Sequence, residues 1–183
     1  MGATTLIPNE PLFSAAIIHA MENLLEYKIA PLLRKHGLTL ATAESCTGGI
    51  IANRITNVPG CSDYFLGGVV AYADEAKIAL LHVLPETLSR HGAVSREVVI
   101  EMARGIRAVL GSHIGISVSG IAGPGGGSPE KPVGTTWIGL STAEADWARH
   151  FCWQGDRLQN KTSSAEAALQ FVIDYLEGKL TQE

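Results

Sequence analysis

Cysteine is scarce in this chain of 183 residues, and the three present, Cys46, Cys61 and Cys152, are odd in number and widely separated. No C-x-x-C pair occurs, so the sequence offers neither a disulfide framework nor the ligand spacing of a structural zinc site. A reducing, cytoplasmic setting is expected. Positive charge is short as well: 14 Lys and Arg against 18 Asp and Glu leave a net charge of -4. That balance provides no basic stripe for a nucleic acid, and any anionic ligand must be met by local cations. Long hydrophobic runs are missing too. No stretch approaches the ~20 apolar residues that a membrane helix requires, and Met1–Phe13 lacks the basic start and apolar core of a leader. A soluble protein with no membrane partner is the expectation.

What the chain does have is apolar residues in short periodic runs. With 46% hydrophobic and 17% charged residues it has the composition of one globular domain with a substantial core. Met1–Phe13, carrying Pro8 and Pro11, reads as a flexible N-terminal arm, which leaves 14–183 as a single domain. From Ser14, a candidate N-cap, to His36 the apolar residues recur at helical spacing until Gly37 stops them, with Pro31 expected to kink or interrupt the helix. Leu38–Ala43 alternates as a strand and delivers a polar elbow, Glu44–Gly49. A helix over Ile50–Val58 follows, ended by Pro59 and Gly60.

Leu66–Tyr72 reads as a second strand, with Asp74 as N-cap of a helix through Leu81. Pro85–His91 is a turn or a single helical turn, and Ser95 caps a helix reaching Leu110. His113–Ser119 is a third strand, followed by the glycine-rich segment Gly120–Pro132. Val133–Ala143 and Trp147–Trp153 read as an antiparallel hairpin, and Gly155-Asp156 opens the last helix. Strands interleaved with helices predict a three-layer α/β/α sandwich around a mixed, mostly parallel sheet of about five strands. Ligands gather at the carboxyl ends of the strands in such sheets. The elbow, the Tyr72–Lys77 turn and the glycine-rich loop are therefore expected to rim one cleft.

Three residues on those rims carry candidate chemistry. Ser45 stands where a strand hands over to a helix, and a serine hydroxyl needs a neighbouring base to act as nucleophile. The six histidines are scattered and form no Ser–His–Asp pattern. Lys77 is the better candidate base, because a lysine in the first turn of a helix meets the positive end of the macrodipole, which disfavours its charged form by roughly 0.3–1 kcal/mol. Tyr72 could relay a proton between Ser45 and Lys77 or donate one to a leaving nitrogen. Glu44 either pairs with Lys77 or serves the helix N-terminus. Backbone N–H groups of Cys46, Thr47, Gly48 and Gly49 are placed to receive an oxyanion. The loop Gly120–Pro132 matches neither G-x-G-x-x-G nor a P-loop; its N–H groups could form an anion nest beside Lys131.

Together, A-E-S-C-T-G-G at 43–49, P-G-C-S-D-Y-F-L-G-G-V-V-A-Y-A-D-E-A-K at 59–77, G-A-V-S at 92–95, G-I-A-G-P-G-G-G-S-P-E-K-P-V-G at 120–134 and G-D-R at 155–157 resemble the carboxy-terminal domain of the competence/damage-inducible CinA family in its stand-alone form. The resemblance implies the α/β/α fold, assembly into a homo-oligomer, and a PncC-type nicotinamide-nucleotide amidohydrolase that converts nicotinamide mononucleotide to nicotinic acid mononucleotide and ammonia. It implies Ser45 as nucleophile with Lys77 as base and Tyr72 assisting, and no metal or cofactor. The pyridine nucleotide would lie along Gly120, Ala122, Gly123, Gly125 and Gly126, with Arg157, Lys131 or Lys161 supplying charge. Cys61 stands where the family usually has serine and Lys161 where arginine is common. Larger members carry a further amino-terminal domain associated with pyrophosphatase activity, which is not expected here. The alternative is a non-catalytic nucleotide-binding or adaptor module linked to competence or DNA-damage responses.

Overall fold

The computed structural model describes residues 23–180. The arm at 1–13, the cap at Ser14 and the first turns of the expected opening helix lie outside the described residues. Helix α1, Leu25–His36, runs through Pro31 without interruption and ends at Gly37 in the left-handed conformation, φ 63°. Pro31 is on the exposed side of α1, where solvent can donate to the carbonyl that the ring leaves unpaired. Of the expected kink or interruption, the interruption does not occur.

The remaining elements follow the predicted order: β1 Leu40–Glu44, α2 Ile50–Thr56, β2 Phe65–Val70, α3 Asp74–Leu81, α4 Pro85–His91, α5 Arg96–Leu110, β3 Ile114–Gly120, β4 Thr135–Ser141, β5 Asp146–Cys152 and α6 Arg157–Leu176. Glu44 therefore ends β1 rather than opening the elbow. Ser95 caps α5 through the Val98 N–H. α6 begins with a capping box in which Asp156 accepts from the Gln159 N–H at 2.9 Å and Gln159 accepts from the Asp156 N–H at 2.8 Å.

The five strands lie in the order β2-β1-β3-β4-β5. β2, β1 and β3 are parallel, and β4 and β5 continue antiparallel, so three of the five strands make the parallel part of the expected mixed sheet. Alternation decides which helices cover each face. Leu40, Ile114, Ile116, Val118, Ile138 and Leu140 face a core built with α1, α2 and α6. Ala41 and Ala43 face the other way, into a core with Leu81, Val98, Met102 and Ile106 from α3 and α5. On that second side the sheet residues are small, so α5 packs close: the Ser117 hydroxyl donates to the Val99 carbonyl at 2.5 Å, and a side chain at Gly115 would run into the Ala103 carbonyl. Arg54 of α2 bridges Glu26 of α1, at 2.5 Å, and Glu166 of α6, joining three helices. No helix among the described residues is long and apolar enough to cross a membrane.

Candidate active site at the carboxyl ends of the parallel strands

Register brings the three rims to one end of the sheet. Glu44 lies opposite Val70 on β2 and Val118 on β3, and pairing continues just beyond: the Ser45 N–H donates to the Val118 carbonyl and the Ala71 N–H to the Glu44 carbonyl, each at 2.9 Å. The elbow, the turn after β2 and the loop after β3 all leave from this line.

The elbow is organised by Glu44. Its buried carboxylate accepts from the N–H groups of Gly49 at 2.9 Å, Ile51 at 3.1 Å and Ala52 at 2.8 Å, taking three of the donors that a helix start leaves open. The Gly48 N–H donates to the Ser45 carbonyl at 3.1 Å. The expected oxyanion donors are thereby corrected: Gly48 and Gly49 are committed within the elbow, because the strand's last carboxylate folds back onto the helix start. The N–H groups of Cys46 and Thr47 donate to no carbonyl or carboxylate among the described residues. Gly48 and Gly49 have φ of 65° and 99°, a left-handed conformation that favours glycine and lets the chain turn from strand to helix in so few residues.

Ser45 and Cys46 are both largely enclosed, yet their chemistry differs. Ser45 is 8% exposed, and its Oγ has no hydrogen-bond partner among the described residues while remaining outside the set of sealed polar atoms. The Cys46 thiol is pushed up to about 12 by burial; the nearby Glu44 charge adds to that, and the Cys46 and Thr47 N–H groups and Lys161 only partly oppose it. A thiol so rarely ionised is a poor nucleophile. Cys46 packs against β3: a Cβ at Gly120 would lie 3.1 Å from its sulfur and 2.6 Å from Thr136 Oγ1, so only glycine fits there.

In the turn after β2, Lys77 is 1% exposed, and its Nζ donates to the Tyr72 carbonyl at 3.2 Å and to Asp74 Oδ1 at 3.3 Å. Asp74 is the first residue of α3, with Ala73 at the cap position and no side-chain cap, so its carboxylate serves Lys77 instead of the helix start. The pairing of Glu44 with Lys77 is not formed. Tyr72 is 58% exposed, and its hydroxyl accepts from Arg157 Nη2 at 2.8 Å. Arg157 Nη1 donates to the Gly123 carbonyl at 2.7 Å.

The loop after β3 is fixed at its base. The buried Asn160 donates to the Ala122 carbonyl at 3.1 Å and accepts from the Gly155 N–H at 3.0 Å. Gly123 precedes Pro124 across a cis bond. Lys131 Nζ donates to the His91 carbonyl at 2.7 Å, so it ties the loop to the end of α4. Gly125, Gly126 and Gly127 are exposed, and their N–H groups have no partner among the described residues. Of the three cations expected to supply charge, Lys161 alone has no side-chain hydrogen bond or ion pair among the described residues. Its Nζ stands 3.5 Å from where a Gly48 Cβ would be, on the same face of α6 as Arg157, one turn on.

The geometry gathers Ser45, Cys46, Gly48, Gly120 and Lys161 at the elbow, and joins Tyr72, Lys77, Asp74, Arg157 and Gly123 beside it. The CinA C-terminal domain profile matches residues 22–176. The chain belongs to this family. A putative competence-damage inducible protein of Moorella thermoacetica is 50% identical over 148 residues, covering 81% of this chain and 36% of that protein. A CinA-like protein of Chloroherpeton thalassium is 53% identical over 156 residues, covering 83% and 37%. The chain thus spans little more than a third of these relatives' length. Among solved structures, the competence damage-inducible protein A (ComA) of Klebsiella pneumoniae superposes with a TM-score of 0.81 at 37% identity, covering 84% of this chain and 95% of that one. The competence/damage inducible protein CihA of Agrobacterium tumefaciens gives 0.81 at 34%, covering 92% and 99%.

Sequence reasoning overlooked Asp74 as the partner of Lys77, although three residues separate them on one helix, a spacing that places side chains together. Asn160 left no such signal, since the carbonyl it holds is 38 residues away.

Proposed function

We propose that this domain hydrolyses the carboxamide of nicotinamide mononucleotide to nicotinic acid mononucleotide and ammonia. The observation that carries the reading is the contrast at the elbow: the largely enclosed Ser45 has no hydrogen bond to its Oγ among the described residues, while the adjacent thiol is pushed up to about 12. Ser45 attacks the carboxamide carbon, and Lys77 accepts the hydroxyl proton. The N–H groups of Cys46 and Thr47 receive the oxyanion, where one well-placed donor contributes about 3–4 kcal/mol. The oxyanion collapses, the C–N bond breaks and ammonia leaves with a proton supplied to its nitrogen, after which water hydrolyses the acyl-enzyme and Ser45 regains its proton. Lys161, a compact charge with no side-chain hydrogen bond or ion pair among the described residues, meets the phosphate, and the uncommitted N–H groups of Gly125–Gly127 add backbone donors.

Purified protein incubated with nicotinamide mononucleotide is expected to release one ammonia per nicotinic acid mononucleotide formed. Nucleotide binding without ammonia release would favour the other reading, a binding or adaptor module. The observation on that side is that Lys77 Nζ donates to Tyr72 and Asp74, with no hydrogen bond to Ser45.

A further inference from the structure

Arg157 has the charge to hold a ligand phosphate, yet both arms of its fork are already engaged. Nη1 donates to the Gly123 carbonyl at 2.7 Å and Nη2 to the Tyr72 hydroxyl oxygen at 2.8 Å. A guanidinium carries donors and no acceptor. The Tyr72 oxygen is therefore the acceptor in this contact, and its own proton must be directed elsewhere. The hydroxyl has no second partner among the described residues, and the ring is 58% exposed. The same turn is fixed from behind, where Lys77 Nζ takes the Tyr72 carbonyl at 3.2 Å. Tyr72 is thus held at both its backbone and its oxygen, with one free donor.

We infer that Arg157 is a positioning residue, which sets the Tyr72 phenol as a proton donor toward the cleft. This rests on the amidase reading, and there the donor serves the leaving nitrogen. As the bond between Ser45 Oγ and the carboxamide carbon forms and the C–N bond breaks, the phenolic proton passes to nitrogen and ammonia departs. The charge left on the phenolate oxygen meets the guanidinium beside it. The proton that Lys77 took from Ser45 returns to that phenolate, and Lys77 is again free to deprotonate the water of the second half-reaction. One amide and one water enter; one acid and one ammonia leave. Arg157 acts through Tyr72: its Nη2 holds the phenol oxygen, and the substrate is met by the phenol.

A double-mutant cycle tests this. Arg157→Met and Tyr72→Phe are each expected to lower kcat about 10²-fold, the lower range for a lost general acid, and the double variant is expected to be no slower than Tyr72→Phe alone. With a 4-nitrophenyl ester of nicotinic acid mononucleotide, whose leaving group departs without a proton, all three variants should keep wild-type rates to within about threefold. Multiplicative losses in the double variant, or equal slowing on the ester, would overturn the assignment. A second arm needs no turnover. With tyrosine labelled at its Cζ carbon, the Tyr72 resonance is identified by its absence in Tyr72→Phe; it should shift in Arg157→Met and stay in place in Lys161→Met. An unmoved resonance in Arg157→Met sinks the positioning role even if the wild type is active. A wild type that releases no ammonia sinks the amidase reading, while the resonance still decides whether Arg157 holds the phenol.

Discussion

The elbow at 44–49 and the loop at 120–132 are both rich in glycine and both leave the carboxyl end of a parallel strand, yet they are built in opposite ways. In the elbow the glycine donors are committed, Gly49 to the Glu44 carboxylate, which also takes Ile51 and Ala52 of α2, and Gly48 to the Ser45 carbonyl, which leaves the N–H groups of Cys46 and Thr47 open. Its glycines serve backbone geometry. The loop is tied at its base by Asn160, Arg157 and Lys131, and its tip, Gly125–Gly127, is open. Its glycines there serve exposure of N–H groups. A nucleophile needs a fixed position, whereas a ligand of several parts is better met by a surface that can adjust. Under the proposed reaction, these two tasks would fall to the two segments as their hydrogen bonds divide them.

The sharpest way to break the comparison is at the elbow's reactive pair. Ser45→Ala should lower kcat for the nucleotide at least about 10³-fold, as loss of a covalent nucleophile does, while Cys46→Ala stays within about tenfold of wild type. The reverse ranking, read from ammonia release, would move the chemistry to the thiol. Alkylation tests the same contrast without substrate. At pH 8 a thiol pushed up to about 12 is ionised to about one part in 10⁴, against about one in four for an ordinary thiol. Buried Cys46 should therefore resist iodoacetamide, while the exposed Cys152 is modified first. The Cys46 rate should climb about tenfold per pH unit as long as the protein stays folded, because only the thiolate reacts. Peptide mapping by mass spectrometry separates the two sites.

Next in size is the carboxylate that closes the elbow. Glu44→Ala leaves the N–H groups of Gly49, Ile51 and Ala52 without their acceptor in a buried place, and a loss of about 3 kcal/mol in unfolding free energy is expected. Glu44→Gln keeps an acceptor oxygen and should lose about half of that. Urea denaturation reads both. If Glu44→Ala unfolds at the wild-type midpoint, the elbow is not held as described, and its contrast with the loop disappears.

Much of this was legible in the sequence, and the reasons for what was not are physical. The order of strands and helices could be read because apolar periodicity reflects burial: α5 is buried along one face, and β1 and β3, buried on both faces, alternate larger with small side chains. The meeting of the three rims followed from parallel pairing. Partner choice was not readable. Glu44 faced both a helix start and a nearby lysine, and only the backbone path decides that it caps α2 while Asp74 takes Lys77. Arg157 looked like a ligand cation because a guanidinium suits phosphate. That Gly123 and Tyr72 occupy it depends on contacts 34 and 85 residues away in the chain. Pro31 misled because the rule against proline in helices weakens on a face that solvent can reach.

The smallest expected effect tests the open end of the loop. At Gly125 an added Cβ meets nothing within 4 Å and φ lies outside the left-handed region, so Gly125→Ala should change stability by less than about 0.5 kcal/mol. At Gly48 φ is 65°, and Gly48→Ala should cost about 1 kcal/mol from backbone strain alone. Gly134, at the far base of the loop, is different again: a Cβ there runs into the Trp153 backbone, so Gly134→Ala has no unstrained solution and should be the most damaging of the three. If Gly125→Ala leaves thermal stability unchanged but weakens nucleotide binding, the tip is part of the ligand surface. If it leaves both unchanged, the tip's open N–H groups do not meet the ligand, and the phosphate must be held from the Lys161 side alone.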